Sequence, residues 1–230
     1  MDISKRLQGV AALVSYPVVA DIGTDHGYVP IYLHKIGKLK KAYACDVRRG
    51  PLEKARENIF LHQAQGVIET RLGSGLTTLQ PGEADTAIIA GMGGMLMIRI
   101  LEDSPEVVKS LKELILAPQH DVDQVRRHLH SIGFSIEAEM MIKEDGKYYT
   151  IIRCIPGAEK YQREIDYLYG KRLLLEKEPL LKELLIAEEG KYLLLEEKLQ
   201  KSDTQSAKER LTQLKEGLGF VREALACWQQ

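Results

Sequence analysis

The segment Val18-Val19-Ala20-Asp21-Ile22-Gly23-Thr24-Asp25-His26-Gly27-Tyr28, followed by a second apolar run that closes on Asp46, constrains the fold more than anything else in the chain. A β-rich run that ends in Asp-x-Gly predicts a strand turning tightly into a helix. Glycine has no Cβ, so backbone N–H groups at that turn can approach a ligand closely. A carboxylate at the tip of the next parallel strand borders the same crevice, where it can accept hydrogen bonds from both hydroxyls of a ribose. The two pieces together predict an α/β sheet carrying a nucleotide-like cofactor.

The rest of the amino-terminal two thirds agrees with that start. Ser4 to Val14 has helical spacing with Ser4 as its cap. Val18 to Ile22 is the first strand, and Pro30 suits the first turn of a helix that stops at Gly37. Lys41 to Val47 is the second strand, followed by a helix from about Pro51 to Gln63. Val67 to Leu72 and Ala84 to Ala90 are the next strands, and the second of these is apolar enough for helices to cover both its faces. A helix follows Gly91-Met92-Gly93-Gly94, and a short one opens at Ser104-Pro105. Glu113 to Ala117 is the fifth strand, and Asp121 caps a helix that runs to Gly133. Phe134 to Lys143 and Lys147 to Ile155 pair through Glu144-Asp145-Gly146, a hairpin signal. Strand and helix alternating five times before a final hairpin give an open parallel sheet with an antiparallel last strand, the layout of a Rossmann-like class I methyltransferase.

From Gly157 onward the chain is charged and leucine-rich, with no strand signal. Ala207, Leu211, Leu214, Leu218, Val221 and Leu225 form a heptad seam, and Leu181, Leu185, Tyr192, Leu195 and Leu199 form a second. The short connector Lys201-Ser202-Asp203-Thr204 predicts an antiparallel coiled-coil hairpin. The domains are therefore expected at 1–157 and 158–230. The second carries 13 basic and 14 acidic side chains, as a solvated helical arm does. Such an arm either stabilises the fold or a dimer, or docks RNA.

Composition excludes several classes. Cys45, Cys154 and Cys227 are too few and too scattered for a disulfide framework or a CxxC metal site, so no metal is expected. Met1 to Arg6 lacks the apolar stretch of a signal peptide, and no run approaches the ~20 apolar residues of a membrane span, so the expectation is a cytoplasmic protein without membrane contact. The net charge of −1 permits a nucleic-acid partner without arguing for one. Basic clusters at Lys5-Arg6, Lys38 with Lys40-Lys41, Arg48-Arg49 and Arg126-Arg127 with His128 and His130 read as solvated faces or as phosphate contacts.

Asp21 and Asp25 supply two acids at the glycine turn. A sulfonium and an ammonium group favour nearby acids and a pyrophosphate does not, so the pair points to S-adenosylmethionine rather than NAD. Asp25 stands where a glycine is more usual, and Asp tolerates the left-handed backbone of such a turn. Its alternative role is to cap the following helix. Asp46 is the expected ribose ligand. Gly73-Ser74-Gly75 would border the adenine ring, with backbone carbonyls standing in for a missing acid. The cofactor set is thus Asp21, Gly23, Asp25, Gly27, Asp46, Val47, Ser74, Gly75, Ala90 and Gly91. The fourth strand ends in Ala90-Gly91-Met92-Gly93-Gly94 and lacks the Asn/Asp-Pro-Pro-Tyr of amino-methylating enzymes, leaving room for a flat ring.

The combination Asp-Ile-Gly-Thr-Asp-His-Gly-Tyr, Gly-Met-Gly-Gly and Glu-Asp-Gly-Lys-Tyr-Tyr, with a carboxyl-terminal helical hairpin, resembles the bacterial TrmK family. The likeness spans residues 1 to about 156, and the tail matches in character more than in motif. It departs at Leu116-Ala117-Pro118-Gln119-His120, where members more often show Leu-Gln-Pro-Asn. The resemblance implies a tRNA (adenine-N1)-methyltransferase acting on adenine 22. N1 of an unpaired adenine is already nucleophilic, so such an enzyme needs extrusion and alignment of the base more than a strong base catalyst. Asp25, His26 and Tyr28 are the catalytic candidates, Asp25 as the group that stabilises the charge developing on the ring. Lys5, Arg6, Tyr28, Arg48, Gly93 and Tyr148 are the substrate-contact candidates, and the protein is expected as a monomer or weak dimer. A small-molecule methyltransferase and a non-catalytic RNA-binding adaptor are the rival readings.

Overall fold

The computed structural model describes residues 3–201 and 204–229. Met1 and Asp2 of the amino-terminal reading, and Ser202 and Asp203 of the expected connector, lie outside the described residues. The chain divides into two compact units, Met1–Lys160 and Tyr161–Gln230, where the sequence put the boundary at 157.

The first unit opens with helix α1 (Lys5–Leu13), capped by Ser4, whose side chain accepts the Leu7 N–H. Strand β1 (Val18–Ile22), α2 (Tyr28–Lys35), β2 (Lys41–Asp46), α3 (Arg49–Leu61), β3 (Ile68–Leu72), β4 (Thr86–Ala90), α4 (Gly94–Glu102), α5 (Pro105–Ser110), β5 (Glu113–Ala117), α6 (Val122–Ser131), β6 (Phe134–Glu144) and β7 (Lys147–Pro156) follow. The seven strands lie in the order β3-β2-β1-β4-β5-β7-β6. The first five are parallel, and β7 runs antiparallel to both β5 and β6. The order reverses between β1 and β4, which opens a crevice beyond their carboxyl ends.

Burial explains why these segments are strands. Every residue of β5 is buried, as is all of β4 except Ala90, because helices cover both faces of the sheet. Val10, Val14, Val29, Leu33, Ile88 and Ile115 fill one core, and Ile31, Ala42, Ala44, Ile59 and Ile68 fill another. Gly9 lets α1 lie against the final hairpin, since a Cβ there would meet Ile142 Cδ1 at 2.3 Å and Ile151 Cδ1 at 2.8 Å. The hairpin turns through Asp145 (φ 49°) and Gly146 (φ 72°), the two left-handed residues of a type I′ turn.

Three expectations change in this unit. Asp121 occupies the cap position of α6, but its backbone is left-handed (φ 57°) and its carboxylate contacts His120 Nδ1 at 2.6 Å instead of a helix N–H. Arg126 is neither a solvated cation nor a phosphate contact: it is 1% exposed, and its Nε donates to Glu139 Oε1 at 2.8 Å. Helix α3 starts at Arg49, two residues before Pro51, which then sits inside its first turn where a missing N–H costs nothing.

The second unit contains a π-helical turn (Asp166–Gly170), α7 (Lys171–Leu175), α8 (Pro179–Gln200) and α9 (Gln205–Ala226). Arg222 pairs with Glu189 at 2.9 Å, Gly217 faces the Tyr192 ring, and Trp228 Nε1 donates to Lys177 O at 3.3 Å, so α8 and α9 run antiparallel. Ala207, Leu214, Leu218 and Val221 are buried along the expected seam, and Ala224 takes the buried place expected for Leu225. The turn and short helix at 166–175 carry no periodicity long enough to read.

Candidate functional site

The crevice at the carboxyl ends of β1, β2 and β4 is a cleft of about 490 Å³. Asp21, Gly23, Thr24, Asp25, Tyr28, Asp46, Val47, Arg48, Ser74, Gly75, Ala90, Gly91 and Arg6 all line it. His26, Gly27, Lys5, Gly93 and Tyr148 stand outside that lining.

The turn after β1 is fixed by backbone geometry. Gly23 (φ 74°) and Thr24 both donate their N–H groups to Cys45 O, at 2.8 and 2.9 Å, which ties the turn to the neighbouring strand. Asp25 is left-handed (φ 48°) as its sequence position requires, and it is exposed. Gly27 (φ 71°) starts α2 and packs on Ala55, 3.4 Å from the position of a Cβ. The turn also receives an unforeseen brace, Asn58 Nδ2 donating to His26 O at 2.9 Å. The His26 and Tyr28 rings stack at 5.1 Å beside it, and His26 Nε2 lies 3.7 Å from Asp25 Oδ2.

Two buried carboxylates face the cleft. Burial pushes the Asp21 carboxyl up to about 6; the Thr24 hydroxyl, donating at 2.6 Å, pulls it back, and the nearby Asp46 charge raises it again. Asp46 is 5% exposed at the tip of β2, and its Oδ1 accepts the Arg48 N–H at 2.8 Å. Its other oxygen makes no protein hydrogen bond among the described residues, which suits a carboxylate kept for a ligand's hydroxyls. Val47, two-thirds exposed, offers an apolar edge next to it. The Ser74 carbonyl accepts from Thr77 N and Oγ1 in a 3-10 turn, so its expected role toward an adenine ring competes with that turn.

The opposite wall is the loop after β4. Gly91 (φ 79°) donates to Ala117 O at 3.1 Å, and Gln119 N donates to Met92 O at 2.9 Å. Gly94 is required by packing, since a Cβ there would meet two backbone carbonyls at 2.7 Å, whereas one on Gly93 would meet only the exposed His120 ring, at 2.6 Å. Gly93 faces that ring and stands back from the cleft. Tyr148 lies under Lys143 on the hairpin, whereas its neighbour Tyr149 lies under Arg6 and so borders the cleft indirectly. Met92, Leu96, Ile100 and Gln119 line the cleft without having been read from the sequence. Leu96 and Ile100 look like ordinary helix-face positions, and only their spacing from Gly91 could have marked them.

A glycine turn open to backbone contact, a buried acid with a free oxygen and a second acid facing the same space fit S-adenosylmethionine, which carries a ribose and a cationic end. Among the described residues, no three His, Cys, Asp or Glu side chains converge as a metal site, and no helix is long and apolar enough to cross a membrane.

Fold and cleft define a class I methyltransferase, and residues 3–152 match the family described as a methyltransferase domain. The tRNA (adenine(22)-N(1))-methyltransferase of Bacillus subtilis (strain 168) is 31% identical over 236 residues, covering 98% of each chain. The crystal structure of the Bacillus subtilis m1A22 tRNA methyltransferase TrmK superposes with a TM-score of 0.87 at 29% identity, over 97% of this chain and 99% of that one. A Streptococcus pneumoniae chain solved with S-adenosyl-L-methionine superposes with a TM-score of 0.84 at 33% identity, over 97% and 100%. The chain belongs to the TrmK family of bacterial methyltransferases.

Proposed function

We propose that this protein is an S-adenosylmethionine-dependent tRNA methyltransferase that methylates N1 of adenine 22, acting in the cytoplasm where tRNA matures. The family membership carries the substrate, and the observation that carries the chemistry is the pair of buried carboxylates on one cleft with an oxygen of Asp46 left free. When bound, the cofactor supplies an electrophilic methyl group. Asp46 accepts from the ribose hydroxyls, and Asp21 faces the cationic end. The glycines at 23 and 91 keep the backbone low enough for close approach. Gly75, left-handed at φ 52°, lets the turn pack against Ile100 on the adenine side of the cleft, since a Cβ there would sit 3.0 Å from that side chain.

No residue has to deprotonate N1, whose lone pair is free in an extruded adenine. The work left to the protein is alignment and electrostatics. The stacked His26 and Tyr28 offer a flat surface at the cleft, and Tyr28 is 37% exposed, open enough to meet a base. Asp25, on the same turn, offers a carboxylate to the positive charge that spreads over the methylated ring. Lys5 and Arg48 are exposed and suit phosphates, and the helical unit is itself a candidate tRNA contact.

The test is incubation of the purified protein with labelled cofactor and tRNA transcripts carrying adenine or guanine at position 22, followed by nucleoside analysis. The expected product is N1-methyladenosine from the first transcript alone. Methylation of a metabolite fraction in place of either transcript would move the protein to the small-molecule class, and label in neither would make it an adaptor. A chain ending at Lys160 is expected to keep cofactor affinity and lose most tRNA turnover; full turnover would reduce the helical unit to a stabilising element.

A further inference from the structure

Arg6 is the one residue of α1 whose charge reaches the cleft, and three contacts determine where it points. The Lys5 N–H donates to Glu144 Oε1 at 2.7 Å, which pins the first turn of α1 to the final hairpin. Gly9 lets the next turn press onto Ile142 and Ile151 of β6 and β7. The Arg6 guanidinium then lies 5.5 Å over the Tyr149 ring, and its terminal nitrogen comes within 3.6 Å of where a Cβ on Gly91 would be. Helix, hairpin and glycine loop thus hold one half-buried cation at the end of β4.

Among the described residues, Arg6 makes neither an ion pair nor a side-chain hydrogen bond, whereas Arg48, the other arginine lining the cleft, sits 3.8 Å from Asp46. The remaining charged groups lining the cleft are Asp21, Asp25 and Asp46. An aromatic face aims a guanidinium without neutralising it, so the arrangement leaves a planar donor fork ready for an oxyanion.

We propose that Arg6 is a cofactor-binding residue that takes the carboxylate of the cofactor's amino-acid end. The proposal rests on the methyltransferase reading above. The cofactor carries cations, which the acids of the cleft suit, and one carboxylate, which those same acids repel. Among the described residues, Arg6 is the cation lining that cleft without an ion-pair partner, and it is able to offset that repulsion. A tRNA phosphate is the other oxyanion in reach of the protein, and it is better met by exposed side chains such as Lys5 and Arg48 than by a half-buried one under a tyrosine ring.

Calorimetry on the full chain tests this with two ligands: S-adenosylmethionine and its decarboxylated form, which keeps the nucleoside, the sulfonium and the amine. Wild type is expected to bind the complete cofactor more tightly. Arg6→Gln should weaken it by roughly 10- to 100-fold, the worth of a charge-assisted hydrogen-bonded pair, and leave the decarboxylated form unchanged. Tyr149→Leu keeps the charge but removes the ring that aims it, so it should give a smaller loss with the same selectivity, a readout that stands even if Arg6→Gln fails to fold. Equal losses for both ligands, no loss for either, or a loss confined to tRNA affinity would overturn the assignment. Failure of wild type to bind either ligand would instead refute the cofactor cleft itself.

Discussion

The sheet unit and the helical unit solve the same problem, burying an apolar face, with opposite tolerance for awkward chemistry. In the sheet unit Asp21, Asp46, Glu113, Arg126 and Glu139 are all buried, and left-handed backbone gathers around the cleft at Gly23, Asp25, Gly27, Gly75 and Gly91. In the helical unit α8 and α9 are regular for 22 residues each, and pairs such as Lys201 with Glu197 and Arg222 with Glu189 lie at the surface. Such exposed pairs are worth ~0.2–1 kcal/mol, whereas burying a carboxylate costs several times that unless a partner or a ligand answers it. The cleft concentrates left-handed backbone and the buried acids Asp21 and Asp46, whereas in the second unit the irregular geometry and the buried Asp166 are confined to the segment before the two long, regular helices.

Substitution of glycines is the sharpest way to break that comparison. Gly94→Ala drives a methyl group into the carbonyls of His120 and Asp121, backbone atoms that cannot swing aside. It should cost roughly 3 kcal/mol or more, at the upper end of overpacking effects, and abolish most methyl transfer by displacing the loop that walls the cleft. Denaturant unfolding and a turnover assay check both; a neutral effect would mean the loop is softer than its packing implies.

Asp21→Asn comes next and should separate stability from binding. The folded carboxyl, raised to about 6 from 3.8, holds its proton more tightly than the unfolded chain does. Ionised Asp21 therefore costs the fold stability at neutral pH; the cost is complete above about 6 and is relieved as pH falls toward 3.8. Removing the charge should stabilise the ligand-free protein by on the order of 2 kcal/mol at pH 7.5, with the advantage shrinking toward pH 4.5. Cofactor affinity should fall in the variant, and in wild type it should fall as pH drops through about 6. A variant no more stable than wild type at pH 7.5 would show that Thr24 already compensates the buried charge.

The smallest effect is expected in the arm. Gly190 in α8 has nothing within 4 Å of a would-be Cβ and is exposed, so Gly190→Ala should stabilise that helix by about 1 kcal/mol without touching cofactor binding. A destabilised variant would reveal that this face of α8 is covered in solution.

Much of this was legible because the signals were local. The β1 turn, Asp46 at the tip of β2, the two-residue hairpin at Asp145-Gly146 and the α9 seam each follow from residue type at fixed spacing. What escaped depends on contacts distant in sequence. Asn58 braces a turn 32 residues away, and Arg126 is buried because Glu139 on β6 meets it. Asp121 is the local exception: its left-handed backbone leaves its carboxylate on the adjacent His120 ring and off the helix N–H groups. Tyr148 and Tyr149 are indistinguishable by composition, and only the strand's two faces decide that Tyr149 is the one under Arg6.

The place of β7 between β5 and β6 has a consequence for the order of events during synthesis. β5 can pair with β4 early, but its other edge stays open until residues 147–156 have been made, and the segment made in between, β6, ends up outside β7. Until then Glu113 on that open strand also lacks Arg153, its partner at 2.9 Å. A nascent chain therefore passes through a stage with an apolar, unpaired strand edge and a buried acid that has its Ser15 and Thr86 donors but not yet its cation, a state prone to pair with a neighbouring chain. The tight type I′ turn shortens that stage: it lets β6 and β7 zip together locally and dock as one ribbon, closing the edge and delivering the arginine in a single step.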